Sequence, residues 1–458
     1  MSAEDRVDIL LGNPRKAVIA MAIPLILSLL VSQVNVLADR AWCAGLGDDA
    51  MSAIAVVTPV YLTIVGLGSG IGVGASAVIS RMIGADKKEK ASATAVQSII
   101  FGLLFGLILT PIIFLGQNDL LAILSKENIL SISEDYMLPY TLFIIILVFN
   151  GVIIGILNGQ GATQYSMYLT VIQAVVNIAL DPIMIYSLDM GLPGASIATV
   201  IATIVSTMLG VLLILSKKTF LPISRSAFHY DGECMKLLLK AGVPQMLEYA
   251  VLYFMDAVLN VIVLMSAEGS HALTVYSVPD NLMMLVVIPA MAIGSALIPV
   301  ASSAFGQRDV NRMRDSFKFA LKIGITTVFI LAMIVEIFPE QCLYIFSYSG
   351  EMMENRPEMV AMLRVMCFYI SFFAFTPICS GYMQAMGHPN RSLILALWRN
   401  ALLIMFYLIA IQQTDLTAIA YALVCGHSIA AVTILIVTLL TGRQVSKRMM
   451  SQDGIKSS

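Results

Sequence analysis

The chain has 458 residues, of which 59% are hydrophobic and only 12% charged, and its net charge is −2. A soluble domain carries about 25% charged residues, so this composition excludes an ordinary soluble protein. The basic residues sit in short loops without interleaved aromatics, which excludes a nucleic-acid binder.

Residues 1–14 are polar and carry acids, with no small-residue cleavage site after the first apolar run, so no removed signal peptide is expected. The apolar residues then gather into long runs. A bilayer core roughly 30 Å thick needs about 20 such residues in a helix, and lipid cannot satisfy exposed backbone N–H and C=O groups, so helix is required. Twelve spans are predicted at about 17–40, 52–77, 94–115, 138–157, 166–188, 194–215, 237–265, 272–300, 317–340, 362–385, 391–412 and 416–440. An even count puts both termini on one side. Of the 27 Lys and Arg, only Arg40, Lys126, Arg356 and Arg364 fall on the other side, and Arg399 lies within span 11. The positive-inside rule therefore predicts cytoplasmic termini. The opposite loops are acidic, with Asp48, Asp49, Glu134, Asp135, Glu351, Glu354 and Glu358. The six cysteines show no CxxC and no paired spacing, and read as packing residues.

The chain also repeats itself weakly, at an offset of 220–226 residues. Pro24 in span 1 matches Pro244 in span 7. Gly72 to Gly84, followed by Ala-Asp-Lys, matches Gly294 to Gly306, followed by Gln-Arg-Asp. Gly155-Ile-Leu-Asn-Gly-Gln-Gly161 matches Gly381-Tyr-Met-Gln-Ala-Met-Gly387. Six spans per half make this a parallel repeat about an axis along the membrane normal, with a cavity between two lobes. The expected fold is an all-α integral membrane protein of twelve transmembrane helices in two six-helix lobes. The expected divisions are an amino-terminal lobe at 1–216, a cytoplasmic linker at 217–236, a carboxy-terminal lobe at 237–441 and a cytoplasmic tail at 442–458.

Ionisable residues inside spans are costly and usually functional. Asp181 lies in the apolar run 171–185, in Asn177-Ile-Ala-Leu-Asp181-Pro182. Asn177 is one turn before it on the same face, and Pro182 donates no hydrogen bond and frees the carbonyl of Ile178. Desolvation penalises a charged carboxylate there, so Asp181 is expected to take up a proton readily. The competing reading is a purely structural helix–helix hydrogen bond. Asp39 ends span 1 beside Arg40 and reads equally as an interfacial ion pair. Asn35, four residues before it, Gln33 nearby, and Pro24, which permits a bend in mid-span, favour a functional role. In span 7, Gln245, Glu248, Tyr249, Asp256 and Asn260 fall on one helical face. Glu248 and Asp256 are expected either to line the cavity and attract a cation or to belong to an interlobe or interhelix hydrogen-bond network. Asp280 is a similar, weaker candidate.

Other signals are discounted. Gly66, Gly68, Gly70, Gly72 and Gly74 lie inside a span and read as close helix packing, not as a phosphate loop. His229, His271, His388 and His427 are isolated and suggest no metal. No nucleotide-binding motif is present, so ATP is not the expected energy source.

These residues together resemble the multidrug and toxic compound extrusion (MATE) family over about residues 15–440. The resemblance rests on Asp39 with Ala44-Gly45-Leu46-Gly47, on Gly84, on Gly155 to Gly161, and on Asn177-Ile-Ala-Leu-Asp181-Pro182-Ile183 followed by Gly191-Leu-Pro-Gly194-Ala195-Ser-Ile-Ala198-Thr199. It implies an antiporter in the cell membrane, not an enzyme, that exports organic, often cationic, compounds in exchange for protons or sodium ions, and that acts as a monomer. It is closest to the prokaryotic DinF-like branch, whose amino-lobe acidic cluster maps onto Asp39, Tyr136, Asn177, Asp181 and Thr199. Sodium, if it is the coupling ion, would sit at Asp39, Asn177 and Asp181, and the proline matching Pro24 is the hinge. The sodium-coupled NorM-like branch carries an acid in span 10, but 365–385 holds no Asp or Glu here. The amino-lobe site is therefore preferred. Gln33, Asn35, Glu248, Asp256 and Asn260 are the candidate cavity residues. The rival readings are a lipid-linked sugar or polysaccharide flippase of the same superfamily, which would need several cavity cations where only Arg399 is intramembrane, and a non-transporting scaffold or receptor, which would need no paired carboxylates.

Overall fold

The computed structural model describes residues 2–125, 127–216, 218–221, 230–344, 353–413 and 415–456, with backbone alone at 127 and 452–456. Lys126, Lys217, Arg225, Glu351 and the middle of the predicted linker lie outside the described residues. The chain is helical, and eleven helices are long and apolar enough to cross a membrane, or twelve if one bent pair counts as a single span.

A short helix, α1 (Ala3–Leu11), precedes the first span, α2 (Pro14–Cys43). Asn13 caps α2 by accepting from the Arg15 and Lys16 amides at 3.0 and 3.4 Å, and Pro14 sits in its first turn, where no N–H is needed. Helix α2 runs without interruption across Pro24. Next come α3 (Asp48–Gly84) and α4 (Lys88–Leu124). The fourth span is the bent pair α5 (Glu127–Leu142) and α6 (Ile144–Gly159), which meet at 54°. Pro139 lies one turn before the break. The first lobe ends with α7 (Thr163–Pro182), continued by one π turn at Ile183–Ser187, and α8 (Gly191–Leu215). The second lobe contains α9 (Gly232–Leu264), α10 (Ser270–Gly306), α11 (Val310–Ile337), the short α12 (Pro339–Tyr344), α13 (Arg356–Phe373) with α14 (Phe375–Ala385) as one span, α15 (Pro389–Ala410) and α16 (Thr417–Lys456).

The internal repeat is visible in backbone detail. After α3, the chain turns with Asp86 at φ 57°, and the Lys87 amide reaches back to the Met82 carbonyl at 2.9 Å. After α10, Arg308 has φ 60°, and the Asp309 amide reaches the Ala304 carbonyl at 3.0 Å. Gly161 and Gly387 take φ 75° and 77° at matched positions after α6 and α14, a conformation that costs glycine nothing. The packing repeats as well. A Cβ on Gly155 would lie 2.1 Å from the Gly72 carbonyl oxygen, and one on Gly381 would lie 2.4 Å from that of Gly294.

Two apolar cores form, and each first helix lends its terminal half to the other lobe. Val18, Met21 and Leu25 of α2 pack in the second-lobe core, while Leu238 and Met246 of α9 pack in the first-lobe core. The glycine run in α3 makes this crossing possible. Cβ atoms on Gly70 and Gly74 would come within 2.4 and 2.6 Å of the α9 backbone, and those on Gly68 and Gly72 within 2.6 and 2.2 Å of the α6 backbone. Glycines four apart face one neighbour and the intervening pair faces the other.

On the face that carries both termini, the lobes touch along the pseudo-two-fold axis. Gly84 abuts the Ser303 backbone, Gly306 abuts the Arg81 backbone, and Arg81 Nη2 donates to the Ala385 carbonyl at 3.0 Å. Arg15 forks over Asp315 at 3.1 and 2.9 Å. Helix α1 lies across the same junction, with Val7 in the first core and Leu10 in the second. Arg312 and Ser303 donate to the Leu10 carbonyl. Toward the opposite face, Val34, Leu37 and Asp256 are exposed.

Gly72→Val tests this packing. A side chain there meets the Gly151 carbonyl oxygen at 2.2 Å, and backbone cannot swing aside. The melting temperature in detergent should drop by the equivalent of about 1–3 kcal/mol or more. Gly116→Ala, with open space around it, should leave the melting temperature unchanged.

Candidate functional site

The amino-lobe site lies where the last third of α2 meets the end of α7. Asn177 and Asp181 are 1% and 0% exposed. Their spacing of one turn lets Asn177 Nδ2 donate to Asp181 Oδ1 at 3.0 Å. From α2, Asn35 Nδ2 donates to Asn177 Oδ1 at 2.7 Å and, more weakly, to Asp39 Oδ2 at 3.5 Å. The asparagine pair thus brings the carboxyl groups of Asp39 and Asp181 side by side, near enough for each to act on the other electrostatically. Three buried oxygens in this cluster lack a donor: Asn35 Oδ1, Asp39 Oδ1 and Asp181 Oδ2. Buried polar atoms are normally paired. A proton held between the acids would satisfy the two carboxyl oxygens, and a hard cation that takes oxygen ligands would draw on all three. Arg40, next to Asp39, points outward and is exposed, and it forms no ion pair among the described residues.

Tyr136 and Thr199 stand in a layer beside the acids. Tyr140 OH donates to Tyr136 OH at 3.2 Å, Thr199 Oγ1 donates to the Ala195 carbonyl at 3.1 Å, and the Tyr61 and Tyr140 rings lie 4.4 Å apart. Among the described residues neither Tyr136 nor Thr199 hydrogen-bonds directly to Asp39 or Asp181. Tyr61 and Tyr140 were not anticipated; the one signal was the i, i+4 spacing of Tyr136 and Tyr140, which puts both on one face. Gln33 is partly exposed one turn from Leu37 and makes no hydrogen bond among the described residues. Pro24 is buried against the second lobe, and its carbonyl accepts from Ser28 Oγ at 3.0 Å.

The span 7 residues divide between two pockets. Gln245, Glu248 and Tyr249 line the inner one, nearer the termini. Glu248 accepts from Ser380 Oγ and Ser392 Oγ, each at 2.9 Å, and the two hydroxyl oxygens lie 2.6 Å apart. Asp256 lines the outer pocket with Asp280, Tyr276, Tyr369 and His427. Tyr369 OH donates to Asp280 Oδ1 at 3.0 Å. Asn260, one turn beyond Asp256, lines neither pocket. Arg399 lines both.

Comparison with known proteins agrees with this architecture. The MatE family model matches the chain twice, over residues 24–183 and 244–409. The two matches begin at Pro24 and Pro244, the first anchors of the repeat. The probable multidrug resistance protein YoeA of Bacillus subtilis is 26% identical over 82% of this chain and 83% of its own length. The multidrug export protein MepA of Staphylococcus aureus is 24% identical over 93% of this chain and 94% of its own. A solved structure described as the outward-facing conformation of a multidrug resistance MATE family transporter of the MOP superfamily is 28% identical. It superimposes with a TM-score of 0.90 over 97% of this chain and 98% of that one.

Asn177→Leu tests whether the amide bridge matters to the fold. It strands Asp181 Oδ1 and the Asn35 amide in a buried site, at a cost of about 1–3 kcal/mol per unpaired group. The melting temperature should fall accordingly, whereas Thr433→Val, on the exposed face of α16, should leave it unchanged.

Proposed function

The chain belongs to the MatE family of membrane transporters, and from that premise we propose that it is a multidrug efflux antiporter, exporting organic compounds in exchange for protons through the amino-lobe acids. The observation that carries the coupling role is the bridge of Asn35 and Asn177 that sets Asp39 beside Asp181, each with an unpartnered buried oxygen. Two neighbouring carboxyl groups are far less unfavourable when they hold a proton between them. Losing that proton leaves like charges side by side, and the Asn35–Asn177 bridge between α2 and α7 must rearrange. Two protonation states then favour two arrangements of these helices, which a counter-transported substrate can bias. Pro24 gives α2 a place to bend, because it removes one ladder hydrogen bond below the site. Sodium remains the alternative ion for the same oxygen-rich cluster.

Multidrug export is the activity named for YoeA and MepA, and their alignment over most of this chain supports the same reading here. The reading places the termini in the cytoplasm on the Lys and Arg distribution. Export then ends with release on the opposite face.

Reconstitution into proteoliposomes with a fluorescent organic cation tests the coupling. The wild type should concentrate the dye under a proton gradient alone. Asp181→Asn mimics the protonated acid and cannot release its proton. It should fold and insert but lose uphill transport, while Asp189→Asn, in the loop before α8 at φ 52°, should transport normally. Uphill transport by Asp181→Asn under a proton gradient alone would remove Asp181 from the coupling role. Orientation is read separately by labelling single cysteines in whole cells. Positions near Lys88 and Arg308 should react only after permeabilisation, and positions near Asp49 and Glu354 should react from outside. The reverse pattern would overturn the direction of export.

A further inference from the structure

Arg399 is a charge that a chamber for cations does not need. It is 6% exposed on α15. Its Nε and Nη2 both donate to a single acceptor, Asn400 Oδ1, at 3.3 and 3.2 Å, and the guanidinium lies 5.6 Å from the centre of the Phe373 ring. Among the described residues it has no carboxylate at ion-pair distance. Glu248 is near enough to act on it electrostatically, but both Glu248 oxygens are already held by serine hydroxyls. A guanidinium cannot shed its charge in a protein, and it carries five donors in a fixed fork. Buried with one amide acceptor and an aromatic face, it lacks the partner its burial calls for.

Asn400 gives a second, independent sign. It is 4% exposed. Because its Oδ1 faces the guanidinium, its Nδ2 must be the other end of the amide, and Nδ2 is buried without a partner. Two unmatched donors, one of them charged, therefore stand side by side. Both residues line the outer pocket. The same pocket presents acids: Asp256 is exposed, without a hydrogen-bond partner among the described residues, and Asp280 is held by Tyr369. Leu252, Met284 and Leu423 supply apolar wall between them.

We propose that the outer carboxyl-lobe pocket is a subsite for amphoteric organic compounds, with Arg399 and Asn400 receiving the substrate's carboxylate and Asp256 and Asp280 its cationic group. This rests on the export reading above and narrows its substrate class. A guanidinium fork and a carboxylate match in shape and charge, and such bonds are about twice as strong as neutral ones. A compound with the same body but an esterified acid leaves the donors unpaired in a buried place, which is how a polar site rejects the analogue that lacks its partner. A simple cation gains from Asp256 and Asp280 but meets the field of Arg399 in the same chamber.

The test uses two dyes that differ only at the carboxyl group: rhodamine 110, the free acid, and rhodamine 123, its methyl ester. Binding to the full-length purified protein is read by fluorescence anisotropy. The wild type should bind the acid about tenfold or more tighter than the ester, the size expected for one charge-assisted hydrogen-bonded contact. Arg399→Gln should abolish that preference by weakening the acid about tenfold while moving the ester by less than about twofold, and Arg399→Lys should keep part of it. Equal wild-type affinity for the two dyes overturns the proposal without any variant. So does an Arg399→Gln loss shared equally by both. Uphill transport of rhodamine 123 with no preference for the acid would leave the export reading standing and remove the subsite. Arg399-dependent preference without uphill transport of either dye would keep the subsite and remove the export reading.

Discussion

Backbone touching backbone holds this protein together. Lipid is as apolar as leucine, so helices inside a membrane gain little from hiding apolar side chains from one another, and close packing of small residues supplies much of their attraction. Helix α3 depends on this twice. Gly68 and Gly72 seat it on α6, and Gly70 and Gly74 seat it on α9, so one helix joins the first lobe's interior to the helix that crosses from the second. The matched contact of Gly294 with Gly381 does the same for α10 and α14. The axis runs through Gly84 and Gly306, each pressed against the other lobe's backbone.

The frame is symmetric, and the polar chemistry hung on it is not. In the first lobe, two acids on different helices are joined through Asn35 and Asn177 and retain unpartnered oxygens. In the second, Glu248 lies nearer the termini and has both oxygens satisfied by serines. A carboxylate already supplied with donors has less to gain from a proton or cation than a pair that lacks them. That contrast favours the first lobe for coupling, and leaves the second lobe's open groups, Arg399, Asn400 and Asp256, facing a chamber.

How much of this was legible in the chain follows from the range of each interaction. The spans were legible because membrane thickness demands long apolar runs. The Asn177–Asp181 pair was legible because one helical turn fixes which side chains share a face. The repeat was legible because positive φ after α6 and α14 calls for glycine, at Gly161 and Gly387. Contacts between distant helices were not legible. Ser380 and Ser392 lie 132 and 144 residues from the Glu248 they bind, and nothing local marks them. Tyr61 and Tyr140 sit in apolar stretches where a tyrosine reads as packing, and their layer beside the acids appears only once α3, α5 and α8 meet. The span 7 residues share one helical face, but a helix long enough to cross the membrane passes two pockets, so Glu248 and Asp256 face different surroundings and Asn260 lines neither.

Helix α1 shows why the described conformation is closed on one side. It has only nine residues, too few for its periodicity to stand out, and it reads as a polar tail. In the fold it spans the lobe junction: Val7 is buried in one core, Leu10 in the other, and Arg312 and Ser303 of the second lobe hold the Leu10 carbonyl. Arg6 reaches the Lys218 carbonyl and stacks on the Tyr165 ring at 4.7 Å, which ties the same helix to the first lobe. Parting the lobes on this face must uncover one of the two aliphatic anchors, at about 1.5–3 kcal/mol for each large side chain returned to water. The glycine contacts at Gly84 and Gly306 must separate in the same movement, since they lie on the same junction. Each of these contacts adds to the cost of opening this face, so a protonation event or a bound substrate must favour the other state by its differential affinity. A transporter needs that balance: a lock strong enough to prevent both faces from opening at once, and weak enough for the free energy of a single ion to release.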